Sequence, residues 1–329
     1  MYRFLQPSSY LKLFANVTHN RPGTKIPQKR GRYHLKRGYL PRKTGKNVEG
    51  IHKAYMKFGL IGHPIEHSLS PALFRAGYDG RYPYDLIVTP DFEEAYRRFA
   101  DGDYDGINVT APFKELALKK ADIISEECRL TGATNLLRKT PEGIKAHNSD
   151  YLGLRLWLQE LQDSQRVHAG CKVLIVGMGG AGKAAAAAAW ASGMSLTLMN
   201  RDMSKAEEMI RRMGGPGGET EMETRPLTDF RECFRKADVI IYNLPVKLPE
   251  LDALAAEDFL AGNPDGSKQI LEANYRNPSF DESLLQRMKE ANPKAEYTAG
   301  QIWLLLQAVT GYEIFTGERP DLSAMSAQI

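Results

Sequence analysis

The run KVLIV (Lys172–Val176), leading directly into GMGGAGKAAAAAAWA, constrains this chain more than any other stretch. The first piece reads as a short buried parallel strand, and the alanines Ala184–Ala189 carry high helix propensity. Gly177, Gly179 and Gly182 therefore fit G-x-G-x-x-G between a strand and a helix, with Gly180 inside the same loop. The first glycine of such a loop permits a tight turn. The second lets backbone approach a pyrophosphate, and the third lets helix and strand pack closely. The helix N-terminus then turns unpaired N–H groups toward the phosphates. An ordinary strand-to-helix turn is the competing reading; the flanking elements favour a dinucleotide site.

A second strand, Ser195–Met199, ends in Asn200-Arg201-Asp202, about twenty residues past the loop, where cofactor choice is made. Acid suits the ribose 2′-OH of NAD, and arginine suits the 2′-phosphate of NADP. Both are present. Arg201 and Lys205 could meet one phosphate, whereas Asp202 opposes it unless its side chain points away. Asp202, Ser204 and Glu207 could equally cap the next helix, because Ser204-x-x-Glu207 has capping-box spacing. The expectation is NADP, with NAD left open.

At 329 residues the chain exceeds one typical domain. No apolar stretch approaches a membrane span, since Ala184–Ala191 and Ile302–Leu306 are too short. Cys128, Cys171 and Cys233 are scattered without metal-ligand spacing, so they read as reduced thiols of a cytoplasmic protein, and no metal is expected. The net charge of +4 conceals two unlike pieces: residues 1–55 hold 13 of the 44 Lys/Arg and one of the 40 Asp/Glu. This leader is rich in cations, Gly and Pro, with little that could form a core, and is expected to be disordered or not native. It could be upstream translated sequence with Met56 as the natural start, a transit peptide, or a basic arm for nucleic acid, in that order of preference.

From Met56 onward the pattern is α/β. Strands are expected at Lys57–Ile61, Tyr84–Thr89 and Gly106–Thr110, with helices at Pro71–Gly77, from the Asp91-Phe92-Glu93-Glu94 capping box to Ala100, and at Lys114–Ile124. Asn135–Lys139 and Ile144–His147 are strands joined by the turn Thr140-Pro141-Glu142-Gly143. Such alternation implies a mostly parallel sheet.

Several polar motifs, in order, give a family resemblance. GHPIEHSLSP (Gly62–Pro71) resembles the G-x-P-I-x-H-S-x-S-P signature of shikimate dehydrogenases, and GINVTAPFK (Gly106–Lys114) resembles their G-x-N-V-T-x-P-F-K. GATNLL, HNSDYLG, GMGGAGKA, EANYRNP, Gln307-Ala308 and Phe315-Thr316-Gly317 follow in family sequence. The resemblance implies an NADP-linked interconversion of 3-dehydroshikimate and shikimate in aromatic amino-acid biosynthesis. It implies a substrate domain at 56–152 to which 300–329 returns, a Rossmann-type cofactor domain at 153–299, and a site in the cleft between them. The partner expected is thus a small-molecule substrate, with no nucleic acid and no membrane; a homodimer is compatible with the sequence.

The resemblance also assigns residues. Lys114 and Asp150 form the catalytic dyad: a lysine ammonium can supply the proton that a ketone needs on reduction, and a neighbouring carboxylate favours the charged lysine. The two titrate as a coupled pair, so sequence does not say which carries the transferred proton. Ser68 and Ser70 bind a substrate carboxylate, although one serine could instead cap the helix before Pro71. Tyr275 could reach the same carboxylate. Asn135, Thr110 and Gln307 complete a polyol pocket, Asn108 holds the loop together, and His67 is structural. Gly177, Gly179, Gly180, Gly182, Asn200, Arg201 and Lys205 are assigned to the cofactor.

Departures from the family pattern are Leu136 and Ser149 for threonines, Glu272 for aspartate, Asp202 for threonine, and the loop Asn243-Leu244-Pro245-Val246-Lys247 beside the expected nicotinamide. They leave the substrate constellation whole and bear on cofactor preference. The competing functions are a quinate-type enzyme, a folate-linked dehydrogenase of the same plan, and a non-catalytic NADP-binding sensor. The Ser68-x-Ser70 pair favours shikimate over quinate, and retention of both Lys114 and Asp150 argues against a sensor.

Overall fold

The computed structural model describes residues 56–214, 220–260 and 266–329. The basic leader, with its competing readings, lies outside the described residues. Two six-stranded sheets covered by helices make this an α/β protein.

The first lobe runs β1 (Phe58–Gly62), α1 (Ser70–Gly77), β2 (Tyr84–Val88), α2 (Phe92–Ala100), β3 (Gly106–Val109), α3 (Lys114–Leu118), β4 (Ile123–Ile124), α4 (Glu126–Thr131), β5 (Leu136–Thr140) and β6 (Gly143–His147). β1 and β3 are buried at every position, the signature of strands covered on both faces. α2 is capped by Asp91, which accepts from the backbone N–H groups of Glu93 and Glu94.

The strand order is β2-β1-β3-β5-β6-β4. β1 pairs parallel with β2 and β3, and β4 with β6, whereas β3–β5 and β5–β6 are antiparallel. The mostly parallel arrangement expected from alternation therefore holds only in part here, because the turn at Thr140–Gly143 folds β6 straight back on β5. Gly143 sits there at φ +126°, and Thr140 Oγ1 donates to its carbonyl at 2.8 Å.

The helix expected over Lys114–Ile124 is a correction: it stops at Leu118. Asp122 exchanges bonds with Ile144, its N–H donating at 2.9 Å and its Oδ2 accepting at 2.7 Å. Ile123 and Ile124 are thereby drawn into the sheet against β6, so long-range pairing outweighs local helical pattern.

The second lobe follows α5 (Ser149–Asp163): β7 (Lys172–Val176), α6 (Gly180–Trp190), β8 (Ser195–Met199), α7 (Met203–Arg212), β9 (Met222–Arg225), α8 (Phe230–Lys236), β10 (Val239–Tyr242), β11 (Lys268–Glu272), α9 (Glu282–Ala291) and β12 (Ala295–Ala299). The order β12-β11-β10-β7-β8-β9 is parallel throughout. Chain direction across the sheet reverses between β7 and β10, which opens a crevice at the strand C-termini.

α10 (Gly300–Thr316) and α11 (Leu322–Ser326) end the chain. α10 is apolar nearly all round, so it must be buried between layers. It places Leu305, Val309, Tyr312 and Phe315 among Phe58 and Phe74 of the first lobe, while Trp303 and Leu306 join the core of the second. Where α5 crosses it, a Cβ on Gly153 would lie 2.6 Å from the Gln307 backbone nitrogen, so only glycine allows this approach.

Lys268 is fully buried at the start of β11, with Nζ donating to the last-turn carbonyls of Phe234 (2.7 Å) and Arg235 (3.2 Å) in α8. Burial pushes its pKa down to about 8. The unfolded chain then holds this proton to a higher pH than the native state does, so the group's contribution to stability rises as pH climbs from about 8 toward 10.5. We expect the unfolding free energy of the parent, measured relative to Lys268→Met in urea, to rise by about 2 kcal/mol from pH 7.5 to 9.5. A difference that stays flat over that range would disprove the assignment.

Among the described residues no helix is long and apolar enough to cross a membrane, and no cluster of His, Cys, Asp and Glu could hold a metal ion. Cys128, Cys171 and Cys233 are buried and form no disulfide.

Candidate active site

A cavity of about 310 Å³ lies between the lobes, a volume suited to a small metabolite. Lys114, Asp150, Ser68, Ser70, Thr110, Asn135, Tyr275 and Gln307 all line it, brought from the loop after β1 and the start of α1, the end of β3, the starts of α3 and α5, the residue before β5, the loop after β11, and α10.

Lys114 Nζ lies 2.5 Å from Asp150 Oδ2, and the two side chains are 18% and 15% exposed. Lys114 opens a helix, where the dipole repels a cation, so the carboxylate offsets an unfavourable placement. Asp150 stands in the first turn of α5, the end that favours an anion. Its backbone is fixed from both sides. Asn148 caps α5 by accepting from the Tyr151 N–H at 3.1 Å and donates to Thr131 Oγ1 and the Ala133 carbonyl, while Trp303 Nε1 donates to the Asp150 carbonyl at 2.9 Å. Behind this, His147 Nδ1 meets Glu127 Oε1 at 3.1 Å; burial alone would raise the Glu127 carboxyl, but the bond with His147 helps hold it below its ordinary value.

Asn135 and Gln307 are joined through a residue that sequence reading did not place in the site. Asn135 Nδ2 donates to Ser149 Oγ at 2.9 Å, Ser149 N–H returns to Asn135 Oδ1 at 2.7 Å, and Ser149 Oγ donates to Gln307 Oε1 at 3.1 Å. Its position between Asn148 and Asp150 was the available signal. Asn108, buried in β3, accepts from Tyr84 OH at 2.8 Å and donates to the Asn135 carbonyl at 3.2 Å, which ties the strand to the site.

Leu69 is the N-cap of α1 and makes no side-chain capping bond, while Ser68 Oγ accepts from the N–H of Ser70, the first residue of the helix, at 3.2 Å, so this serine also serves the helix start. The Ser68 and Ser70 hydroxyls lie 3.2 Å apart at the cavity wall, and Tyr312 OH holds the Ser70 carbonyl at 3.1 Å. Thr110 is fixed by its N–H to the Ile61 carbonyl. His67 also lines the cavity, and its carbonyl accepts from Arg276 Nη2 at 3.1 Å across the cleft.

The glycine loop faces the same cavity. Gly179 is the N-cap of α6 and Ala181 lines the wall. A Cβ on Gly180 would sit 3.2 Å from Lys114 Cδ, so this loop abuts the lysine. Gly177 has φ +94°, and a Cβ on Gly182 would lie 1.8 Å from the Gly177 carbonyl oxygen. At Gly179, by contrast, a Cβ would meet nothing within 4 Å, leaving the loop open to an approaching ligand. With the unpaired N–H groups of α6 beside it, this is a cradle that fits a pyrophosphate.

Asn200 Oδ1 accepts from the Met178 N–H at 3.1 Å, so its side chain shapes the loop. Arg201 and Lys205 are exposed, and neither forms an ion pair among the described residues. Asp202 is the N-cap of α7, with Oδ1 accepting from the Ser204 N–H and hydroxyl. The Ser204 hydroxyl lowers its pKa, with Lys205 adding to the effect. The Ser204-x-x-Glu207 capping box is thus a correction: the cap lies two residues earlier, and it turns the Asp202 carboxylate onto the helix. The departing loop 243–247 packs against the glycine turn, where a Cβ added to Gly177 would lie 2.9 Å from Leu244 Cδ2, and Tyr242 OH donates to the Val246 carbonyl at 2.7 Å.

The family model described as shikimate dehydrogenase substrate binding domain matches residues 60–137, and the one described as shikimate / quinate 5-dehydrogenase matches residues 159–264. A shikimate dehydrogenase (NADP(+)) of Rubrobacter xylanophilus is 31% identical over 276 residues, covering 81% of this chain and 93% of that protein. The structure of a Thermus thermophilus shikimate 5-dehydrogenase in complex with NADP(H) and shikimate superposes with TM-score 0.63 at 26% identity, covering 83% of this chain and 98% of that one. A Corynebacterium glutamicum quinate dehydrogenase in complex with NAD reaches TM-score 0.68 over 83% and 98% of the two chains; at 22% identity that likeness speaks for the fold alone.

Proposed function

The chain belongs to the shikimate dehydrogenase family, and from that premise we propose that it catalyses the reversible NADP-linked reduction of 3-dehydroshikimate to shikimate through a Lys114–Asp150 dyad. The observation that carries the proposal is the 2.5 Å contact of Lys114 with Asp150 in a cavity that also holds Ser68, Ser70, Asn135 and Gln307, with Gly180 of the dinucleotide loop against the lysine.

Gly177, Gly179, Gly180 and Gly182 would hold NADP(H), with Arg201 and Lys205 toward its 2′-phosphate, and the bound cofactor would supply the hydride. The protein's part is the proton. Lys114 Nζ donates to the oxygen that becomes negative at the reacting carbon and stabilises that charge while it develops. Asp150 orients the lysine through their 2.5 Å contact, and accepts a substrate hydroxyl. Ser68, Ser70 and Tyr275 hold the carboxylate end, while Asn135, Thr110 and Gln307 position the ring hydroxyls. Residues 56–152 with 300–329 form the substrate lobe and 153–299 the cofactor lobe, a division supported by the two sheets and the return of α10.

The test is a panel of initial rates with shikimate and quinate, each paired with NADP and NAD. Because Asp202 is engaged as a helix cap while Arg201 and Lys205 are open to solvent, NADP is expected to give a kcat/KM at least about tenfold above that of NAD, the worth of one charge-assisted phosphate contact. Equal rates with both cofactors would mean that the cations do not read the phosphate. A preference for quinate would move the chain to the quinate branch of the family.

A further inference from the structure

Carboxylate recognition by Ser68, Ser70 and Tyr275 uses only neutral hydroxyls. Of the permanent charges on the described cavity wall, Lys114 and Asp150 neutralise one another. That leaves Arg276, also on the wall, as an unbalanced cation. Arg276 forms no ion pair among the described residues; its one side-chain hydrogen bond goes to the carbonyl of His67, the residue before Ser68. That bond spends one of five guanidinium donors.

The loop bearing Arg276 is held in place. Asn274 Oδ1 accepts from the N–H groups of Arg276 (3.3 Å) and Asn277 (3.4 Å), and Asn274 Nδ2 donates to the Asn277 carbonyl at 2.8 Å. At its base the fully buried Glu272 carboxylate accepts from the N–H groups of Ser279 (2.5 Å) and Phe280 (3.2 Å) and from Tyr297 OH (3.0 Å). Arg276 is thereby presented by the cofactor lobe to the serine corner of the substrate lobe, with its charge also over the Tyr275 ring at 5.7 Å.

We propose that Arg276 is a specificity-determining residue of this site, a cation that reads the substrate's carboxylate alongside Ser68 and Ser70 and biases the cavity toward acidic polyols. The inference rests on the reaction proposed above. A planar fork suits a carboxylate in a way that hydroxyls alone do not, and bonds between charged partners are stronger than neutral ones.

Three variants test it, with kcat and KM for shikimate measured at saturating NADP and the Kd of NADPH followed by fluorescence as a check on the fold. Arg276→Gln keeps a donor for the His67 carbonyl and removes the charge; Arg276→Lys keeps the charge; Arg276→Ala removes both. KM is expected to rise about tenfold in the Gln and Ala variants, with kcat changed less than about threefold, and to recover most of the way in the Lys variant. A Gln variant with the parent's KM would overturn the inference and reduce Arg276 to a bridge between lobes, as would an equal loss in all three variants. Failure of the parent protein to turn over shikimate while binding NADPH would instead refute the reaction on which the inference rests.

Discussion

Lys114→Ala is expected to lower kcat by roughly 10²–10⁴-fold, the usual worth of a positioned general acid, while KM for shikimate changes little. The split follows from the division of labour in the cavity. The groups proposed to hold the substrate are fixed by bonds that do not pass through the lysine: Asn135 through Ser149, Gln307 through Ser149 and the Leu304 carbonyl, and Ser70 through Tyr312. What the variant loses is the proton donor and the countercharge at the reacting oxygen. Asp150 is left without its cation but stays where it was, because Asn148 and Trp303 hold its backbone. A small primary amine in the assay should restore part of the rate by occupying the vacated volume beside Asp150. A kcat within tenfold of the parent would remove Lys114 from the chemistry and revive the reading of the chain as a binding protein.

The glycine loop gives the second large effect, in the form of a contrast. In Gly182→Ala the new methyl would sit 1.8 Å from the Gly177 carbonyl oxygen, a backbone atom that cannot move without displacing β7 or α6. Destabilisation of about 3 kcal/mol is expected, at the upper end for overpacked sites, with NADPH affinity falling about 10²-fold or more as the loop shifts. Gly179 has the opposite surroundings. Its φ of −74° suits any residue and nothing lies within 4 Å of a Cβ there. Gly179→Ala should therefore unfold in urea at the parent's midpoint yet bind NADPH more weakly, because the methyl occupies space that only a ligand needs. If Gly179→Ala binds NADPH normally, the cofactor does not approach at that glycine, and the loop is an ordinary strand-to-helix turn.

Much of this was legible in the sequence for identifiable reasons. Most strands of the second lobe feed a helix, and the boundaries of β7 and β8 follow from apolar runs that need no distant partner. The polar motifs of the first lobe pointed to Ser68, Ser70, Lys114, Asn135 and Asp150 through their resemblance to the motifs of a known family, in the same order along the chain. The end of α3 was not legible. Nothing in residues 119–124 announces that Asp122 will bond Ile144 and draw Ile123 and Ile124 into the sheet. Nor was the choice between capping and ligand binding at Asp202, which depends on the rotamer that aims its carboxylate at Ser204.

The sequence by itself determined the kinds of elements, the dinucleotide loop and the residue types able to move a proton, because these depend on short-range periodicity, steric freedom at glycine and the chemistry of single side chains. Only the tertiary structure decided that those residues share one cavity. Lys114 and Asp150 are 36 positions apart, and Ser149 and Gln307 are 158 apart. The meeting of Ser149 with Gln307 depends on α10 crossing α5 at Gly153, where the missing side chain lets two backbones approach closely enough to bring Gln307 and Trp303 onto the start of α5. Arg276 shows the same division: as a sequence position it is one cation on a polar loop, and only the packing of the two lobes sets it on the carbonyl of His67, the residue before Ser68, at the wall of the same cavity.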